Sequence, residues 1–220
     1  MPSETVNALR KQLREKFPAA HRKQGGEPEH SPSPEAPAAS FPLALRNFPR
    51  GAISEISPSH PACGISLLVA ALVSEEPEHG RDTPLVLVDA RDGFDPASFT
   101  PEECARLLWL RCRETQDAFK AADLLLRDGN LPSVLLDLSS LPSRELRRIP
   151  LSSWHRLRQL AETSDVSLIA LTPVPLVPGA TLRLQLTRSL SLTSLLLPRS
   201  EAIDSLHLET TRALHQSRTA

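Results

Sequence analysis

The sequence predicts an α/β fold: a mainly parallel central sheet covered by helices on both faces, in three layers. Three observations predict it. Residues 84–89 (PLVLVD), 133–138 (SVLLDL) and 166–171 (VSLIAL) are nearly continuous runs of Val, Leu and Ile, the profile of strands buried on both sides. Segments of helical period lie between these runs. Strands that alternate with helices imply βαβ units, whose crossovers cover both faces of the sheet. The 220 residues suit one such domain with tails, and an apolar content of 40% supplies one core.

Residues 1–18 read as an N-terminal amphipathic helix. Val6, Leu9, Leu13 and Phe17 recur at spacings of three and four, Arg10, Lys11, Arg14 and Lys16 fill much of the rest, and Pro18 ends the segment. Residues 19–40 lose all periodicity, carry Pro28, Pro32, Pro34 and Pro37, and form a flexible Pro-rich linker. A basic amphipathic helix tethered in this way is a docking element, so Leu9, Leu13 and Phe17 are candidate partner-binding residues.

The core spans residues 41–197. Residues 52–56 (AISEI) form a short alternating strand, and 63–74 (CGISLLVAALVS) a buried helix. A helix starts at Pro101, with Thr100 as its cap and Glu102 and Glu103 in its first turn. Residues 107–111 (LLWLR) either continue it or turn into a short strand. Residues 115–128 are a helix closed by Gly129. Residues 143–164 are helical, with Pro150 starting a new segment or kinking the first. Residues 181–186 and 189–197 alternate as two late strands, and 198–220 form a polar tail, either frayed or folded as a short terminal helix.

Lys plus Arg number 25 against 26 Asp plus Glu, a net charge of -1, which excludes a histone-like role and leaves room for a local basic face. Aromatics are 4%, with no Tyr, too few for a base-stacking platform. No apolar run approaches the roughly 20 residues of a membrane span, and the start lacks a secretory apolar core. The expectation is a cytoplasmic protein without a membrane partner. Cys63, Cys104 and Cys112 form no CxxC pair, so neither a metal site nor a disulfide framework is expected.

Ligands of such sheets bind at the carboxyl ends of the strands. The first strand turns into a helix through 57–66 (SPSHPACGIS), where a phosphate loop would read GxxxxGK[ST]. Ser59 stands at the first Gly, Gly64 at the second, Ile65 at the Lys, and Ser66 alone fits. Pro58 and Pro61 remove two N–H donors from a loop whose purpose is to present them. Ile65 brings no charge. This remnant predicts no bound nucleotide, no other cofactor and no catalytic residue.

From Arg50, the strings RGAISEI, LVLVDARDGFDPASF, DAFKAADLLLRDG, SVLLDLSSL and VSLIAL resemble the ATPase core of RecA-type recombinases over about residues 50–172. The resemblance implies a RecA-like core. It places Arg91 where the water-activating Glu belongs, makes Asp89 and Asp137 remnants of the magnesium acids, and puts a polar sensor at Thr172–Pro173. Arg91 is expected to salt-bridge one of the two acids. With ALRKQLREKFP, CGISLLVAAL and RLLWLR, the chain also resembles the ImuA family of RecA- and SulA-related bacterial proteins, over roughly residues 7–190. That implies a catalytically inactive accessory protein of the DNA-damage response, in translesion or mutagenic repair. Its partners would be RecA, an ImuB-like Y-family polymerase relative, or another copy of itself. The alternatives are a SulA-like inhibitor of cell division and an active or nucleotide-binding RecA-type ATPase. Arg144, Arg147, Arg148, Arg156 and Arg158 are candidate nucleic-acid contacts, set against a solvated helix face paired with Glu145 and Glu162. The loops after Asp137 and Leu171 are short and Pro-rich, so direct DNA binding is expected to be weak or absent.

Overall fold

A computed structural model describes residues 41–75 and 84–213, which belong to one of two units into which the chain divides, residues 38–220. The expected helix at 1–18, with Leu9, Leu13 and Phe17, and the linker at 19–40 lie outside the described residues.

The chain runs β1 (Ala52–Pro58), α1 (Ile65–Val73), β2 (Leu85–Asp89), α2 (Pro101–Ala105), β3 (Leu107–Arg111), α3 (Thr115–Asp128) and β4 (Ser133–Asp137). It continues through α4 (Ser143–Leu146), α5 (Leu151–Ser164), β5 (Ser167–Leu171), β6 (Leu182–Leu186), α6 (Arg199–Asp204) and β7 (Leu208–Ala213). The seven strands order as β3-β2-β4-β5-β1-β6-β7. Neighbours are parallel except β6 and β7, which are antiparallel.

Strand periodicity sorts the core into two layers. Val86, Val88, Val134, Leu136, Leu168 and Ala170 face one side, where they meet Ala118, Ala122 and Leu126 of α3 and Trp154, Leu157 and Ala161 of α5. Leu85, Leu87, Leu135, Ile169, Leu171 and Leu184 face the other, against Leu68, Val69, Leu72 and Val73 of α1. The expected three-layer α/β arrangement is therefore present.

Local chemistry sets the element ends. Thr100 and Glu103 form a capping box on α2: the Thr100 hydroxyl accepts from the Glu103 N–H at 3.2 Å, and the Thr100 N–H donates to the Glu103 carboxylate at 2.8 Å. Gly129 takes a left-handed conformation (φ 68°) and closes α3. Pro150 starts α5 as a new helix after the single turn of α4. Residues 107–111 take the strand alternative and form β3, one edge of the sheet.

Two expectations need correction. Residues 189–197 form no strand: Leu192–Leu196 is a 3-10 turn in which Ser191 Oγ accepts from the Ser194 N–H. The Ser/Leu alternation there mimics a strand, but the hydroxyl satisfies the backbone locally. After 197, Arg199–Asp204 forms the short helix expected as one of two alternatives there, α6, but Leu208–Ala213 adds a strand, β7, so the core runs past 197. Only Leu208 of β7 is buried; as an edge strand with one solvated side it lacks the continuous apolar signature of its neighbours.

Candidate functional site

The strand ends gather the loops that a ligand would meet. After β1 the chain turns through Ser59, His60, Pro61, Ala62 and Cys63 to Gly64 and α1. Contacts with the segment after β6 tie this turn down. The Ser59 N–H and hydroxyl both donate to the Leu186 carbonyl at 2.9 Å. The Leu190 N–H donates to the Ala62 carbonyl at 2.8 Å. His60 Nε2 lies 2.9 Å from the Thr187 carbonyl. His60 Nδ1 lies 2.8 Å from Ser189 Oγ, 3.1 Å from Cys63 Sγ and 3.3 Å from the Pro61 carbonyl, to which the Ser189 hydroxyl also donates at 3.4 Å.

Gly64 has φ 85°, the left-handed region. A Cβ built there would stand 2.9 Å from Leu190 Cδ1 and 2.9 Å from Leu206 Cδ2. Two leucine side chains thus lie directly against the position where a phosphate loop needs open space. Ile65, at the Lys position, packs half-buried against the α1-side core, and Ser66 is exposed. A site of this shape presents hydrocarbon where a polyphosphate would need converging N–H groups and a cation.

Asp89 and Asp137, the two acids at the strand ends, have structural employment. Asp89 is 1% exposed. It accepts from the N–H groups of Arg91 (3.1 Å), Gly93 (3.1 Å) and Phe94 (2.9 Å) and from Trp109 Nε1 (3.3 Å). It folds the turn after β2 around itself. Asp137, its register neighbour, accepts from the Ser139 N–H at 2.9 Å and hydroxyl at 2.6 Å. Burial pushes the Asp137 carboxyl above its usual range; the Ser139 bonds oppose the rise and the charge of Asp89 adds to it.

Arg91 pairs with neither acid, contrary to the expectation. Its guanidinium donates to Glu145 at 2.8 Å, with the side chain 46% exposed. Glu145 also accepts from the Thr115 hydroxyl, and these two partners, Thr115 first, hold its carboxyl below the ordinary range. The turn that Asp89 organises points residue 91 outward, away from the strand ends. Thr172, the expected sensor, is fully buried and donates to Glu55 at 3.0 Å.

Glu55 is the residue that sequence reasoning missed. Its side chain is 0% exposed in the middle of β1. One oxygen accepts from Thr172 Oγ1 and from the N–H groups of Leu176 (2.6 Å) and Val177 (2.9 Å). The other accepts from Arg183 Nε at 2.6 Å, and Arg183 also donates to the Val177 carbonyl at 2.9 Å. Residues 55 and 183 are direct register partners across β1 and β6. The signal in the sequence was an acid inside ISEIS and an arginine inside LRLQL; the alternation of 52–56 marked no solvent face, because Ala52 through Ser57 are all buried.

The basic residues separate. Arg144, Arg147, Arg148, Arg156 and Arg158 are all exposed. Arg148 and Arg156 line one cleft between α3 and α5, whereas Arg144, Arg147 and Arg158 lie outside its lining. Arg156 is paired with Asp123.

No helix among the described residues is long and apolar enough to cross a membrane. No family model matches the chain, and no curated protein matches it. Among solved structures it is similar to a RadB recombinase, at 16% identity and a TM-score of 0.47, covering 66% of this chain and 78% of that one.

Proposed function

We propose that this protein is a RecA-like accessory factor of the bacterial DNA-damage response, acting in translesion or mutagenic repair through protein contact and without nucleotide turnover. The observation that carries the reading is the closure at Gly64. Leu190 and Leu206 press on that glycine, and five hydrogen bonds from Ser59, His60, Ser189 and Leu190 hold the turn shut. The motif resemblance supports the RecA-like reading, and the consumption of Asp89 by three backbone N–H groups supports the loss of a metal role. In this reading the partners are RecA or an ImuB-like polymerase relative, and Leu9, Leu13 and Phe17 supply one contact face.

Calorimetric titration with ATP and magnesium tests the reading. The expected result is no heat of binding up to about 1 mM, a threshold of about -4 kcal/mol. Micromolar affinity would replace the reading with that of a nucleotide-binding ATPase. On the partner side, Leu13→Asp with Phe17→Asp is expected to abolish co-purification with RecA or the polymerase relative, and unchanged recovery removes those residues from the interface.

A further inference from the structure

We infer that the cleft between α3 and α5 is a docking groove for an acidic amphipathic segment of a partner protein. The inference rests on the reading that the chain works by contact, and it gives that contact a second location. The cleft measures about 1010 Å³, at or beyond the roughly 300–1,000 Å³ typical of small-ligand sites. It follows the seam between two helices of 14 residues each, elements about 21 Å long.

Its floor is apolar. Phe119, Ile149 and Leu157 line it, and Phe119 is braced edge-on by the buried Trp154, ring centroids 4.8 Å apart. Leu124 stands on the lining with 66% of its surface exposed. An exposed leucine beside a rigid apolar floor is what the anchor side chains of a docked helix cover.

Charge then selects the occupant. The lining carries Arg91, Arg113, Lys120, Arg148 and Arg156 against Glu114, Asp123 and Glu145. Most of this charge is already matched. Glu145 holds Arg91, Asp123 holds Arg156 and Arg127, and Lys120 pairs with Asp117. Among the described residues Arg113 and Arg148 form no ion pair, while Glu114 is an unpaired acid of the lining. The unmatched charge is therefore net positive. A segment with carboxylates flanking its apolar side chains gains charge-assisted hydrogen bonds to Arg113 and Arg148 while its apolar side covers Leu124. A nucleic-acid backbone would instead set closely spaced phosphates against Glu114, Asp123 and Glu145 and leave the apolar floor uncovered.

The test uses the full chain and a dye-labelled synthetic helix of about 14 residues, with Leu at i, i+3, i+4 and i+7 and Glu elsewhere. A second peptide has Lys in place of Glu, and a third probe is a DNA strand of about 20 nucleotides. Fluorescence anisotropy should show micromolar binding of the acidic peptide, with the Lys version about tenfold weaker or more. Arg113→Glu with Arg148→Glu, and separately Leu124→Glu, should each weaken binding by about tenfold while leaving the thermal melt in place. Absence of binding at about 1 mM, equal affinity for both peptides, indifference to the variants, or tighter binding of DNA through the two arginines each overturns the inference. ATP titration of the same samples reads the accessory role separately: bound nucleotide would sink that role and leave the groove result standing, and a failed groove would leave that role intact.

Discussion

The two faces of the sheet end differently. On the α1 side, the turn after β1 is held by the segment after β6, and leucines fill the space over Gly64. On the opposite side, α3 and α5 leave an open seam with Leu124 and two arginines that form no ion pair among the described residues. The usual ligand position of an α/β sheet is the mouth at its strand ends. Here the turn after β1 is tied to the chain's own later segments, with Leu190 and Leu206 against Gly64, and an open cleft lies between the helices of the other face. Sealing one place and leaving another open separates stability from recognition. Substitutions at the sealed end should cost folding energy, and substitutions in the seam should cost binding alone.

The largest expected effect lies at Glu55. Glu55→Ala leaves Arg183 Nε and two backbone N–H groups without their acceptor and the Arg183 charge without its counter-ion. Urea denaturation should show a loss of about 3 kcal/mol, because breaking one side of a buried ion pair strands the other. A loss near zero would mean that the 172–183 segment is not anchored, and the seal would lose its frame. Next is Gly64→Ala. The left-handed backbone and the two leucine contacts together should cost about 2 kcal/mol. Adding Leu190→Ala should recover about 1 kcal/mol of that, a coupling that appears only if Leu190 lies on Gly64 in solution.

Asp137→Asn tests whether the strand ends are dry. A carboxyl whose folded pKa is raised binds more protons in the native state than in the unfolded chain. Stability therefore falls as pH rises from the usual Asp range through the raised value. The Asn variant can still accept from Ser139 and should lack this loss. It should be more stable than the parent at neutral pH, with the difference vanishing in acid; a pH-independent difference would place water at Asp137. The smallest effect belongs to the seam. Leu124→Glu, at a side chain 66% exposed, should change stability by no more than about 0.5 kcal/mol. A larger loss would make the seam part of the core and weaken the contrast between the faces.

What could be read in the sequence was whatever is written locally. The bounds of α3 follow from Gly129, the restart at α5 from Pro150, and the buried strands β2, β4 and β5 from unbroken apolar runs. The departures of residues 57–66 from a phosphate-loop pattern were legible as well, since each is a residue type at a fixed offset. What packs against Gly64 was not, because Leu190 and Leu206 come from more than a hundred residues downstream, and Leu190 lies in a segment that alternation mislabels as a strand. The Glu55–Arg183 pair is similarly a matter of register between β1 and β6. The cleft was half visible: Arg148 and Arg156 stood out as a basic cluster, but their apolar floor comes partly from α3 and could be joined to them only by the packing of two helices.

The burial of two of the three thiols has a practical consequence. Cys63 is shut beneath His60, its sulfur against the imidazole, and Cys112 is buried, where desolvation pushes its thiol up. Cys104, in α2, is half-exposed. A maleimide should therefore attach to the native chain at one position without any engineering of the sequence. That makes Cys104 a ready attachment point for an optical reporter, and release of the other two sulfurs to the reagent would serve as a chemical clock for the opening of the fold.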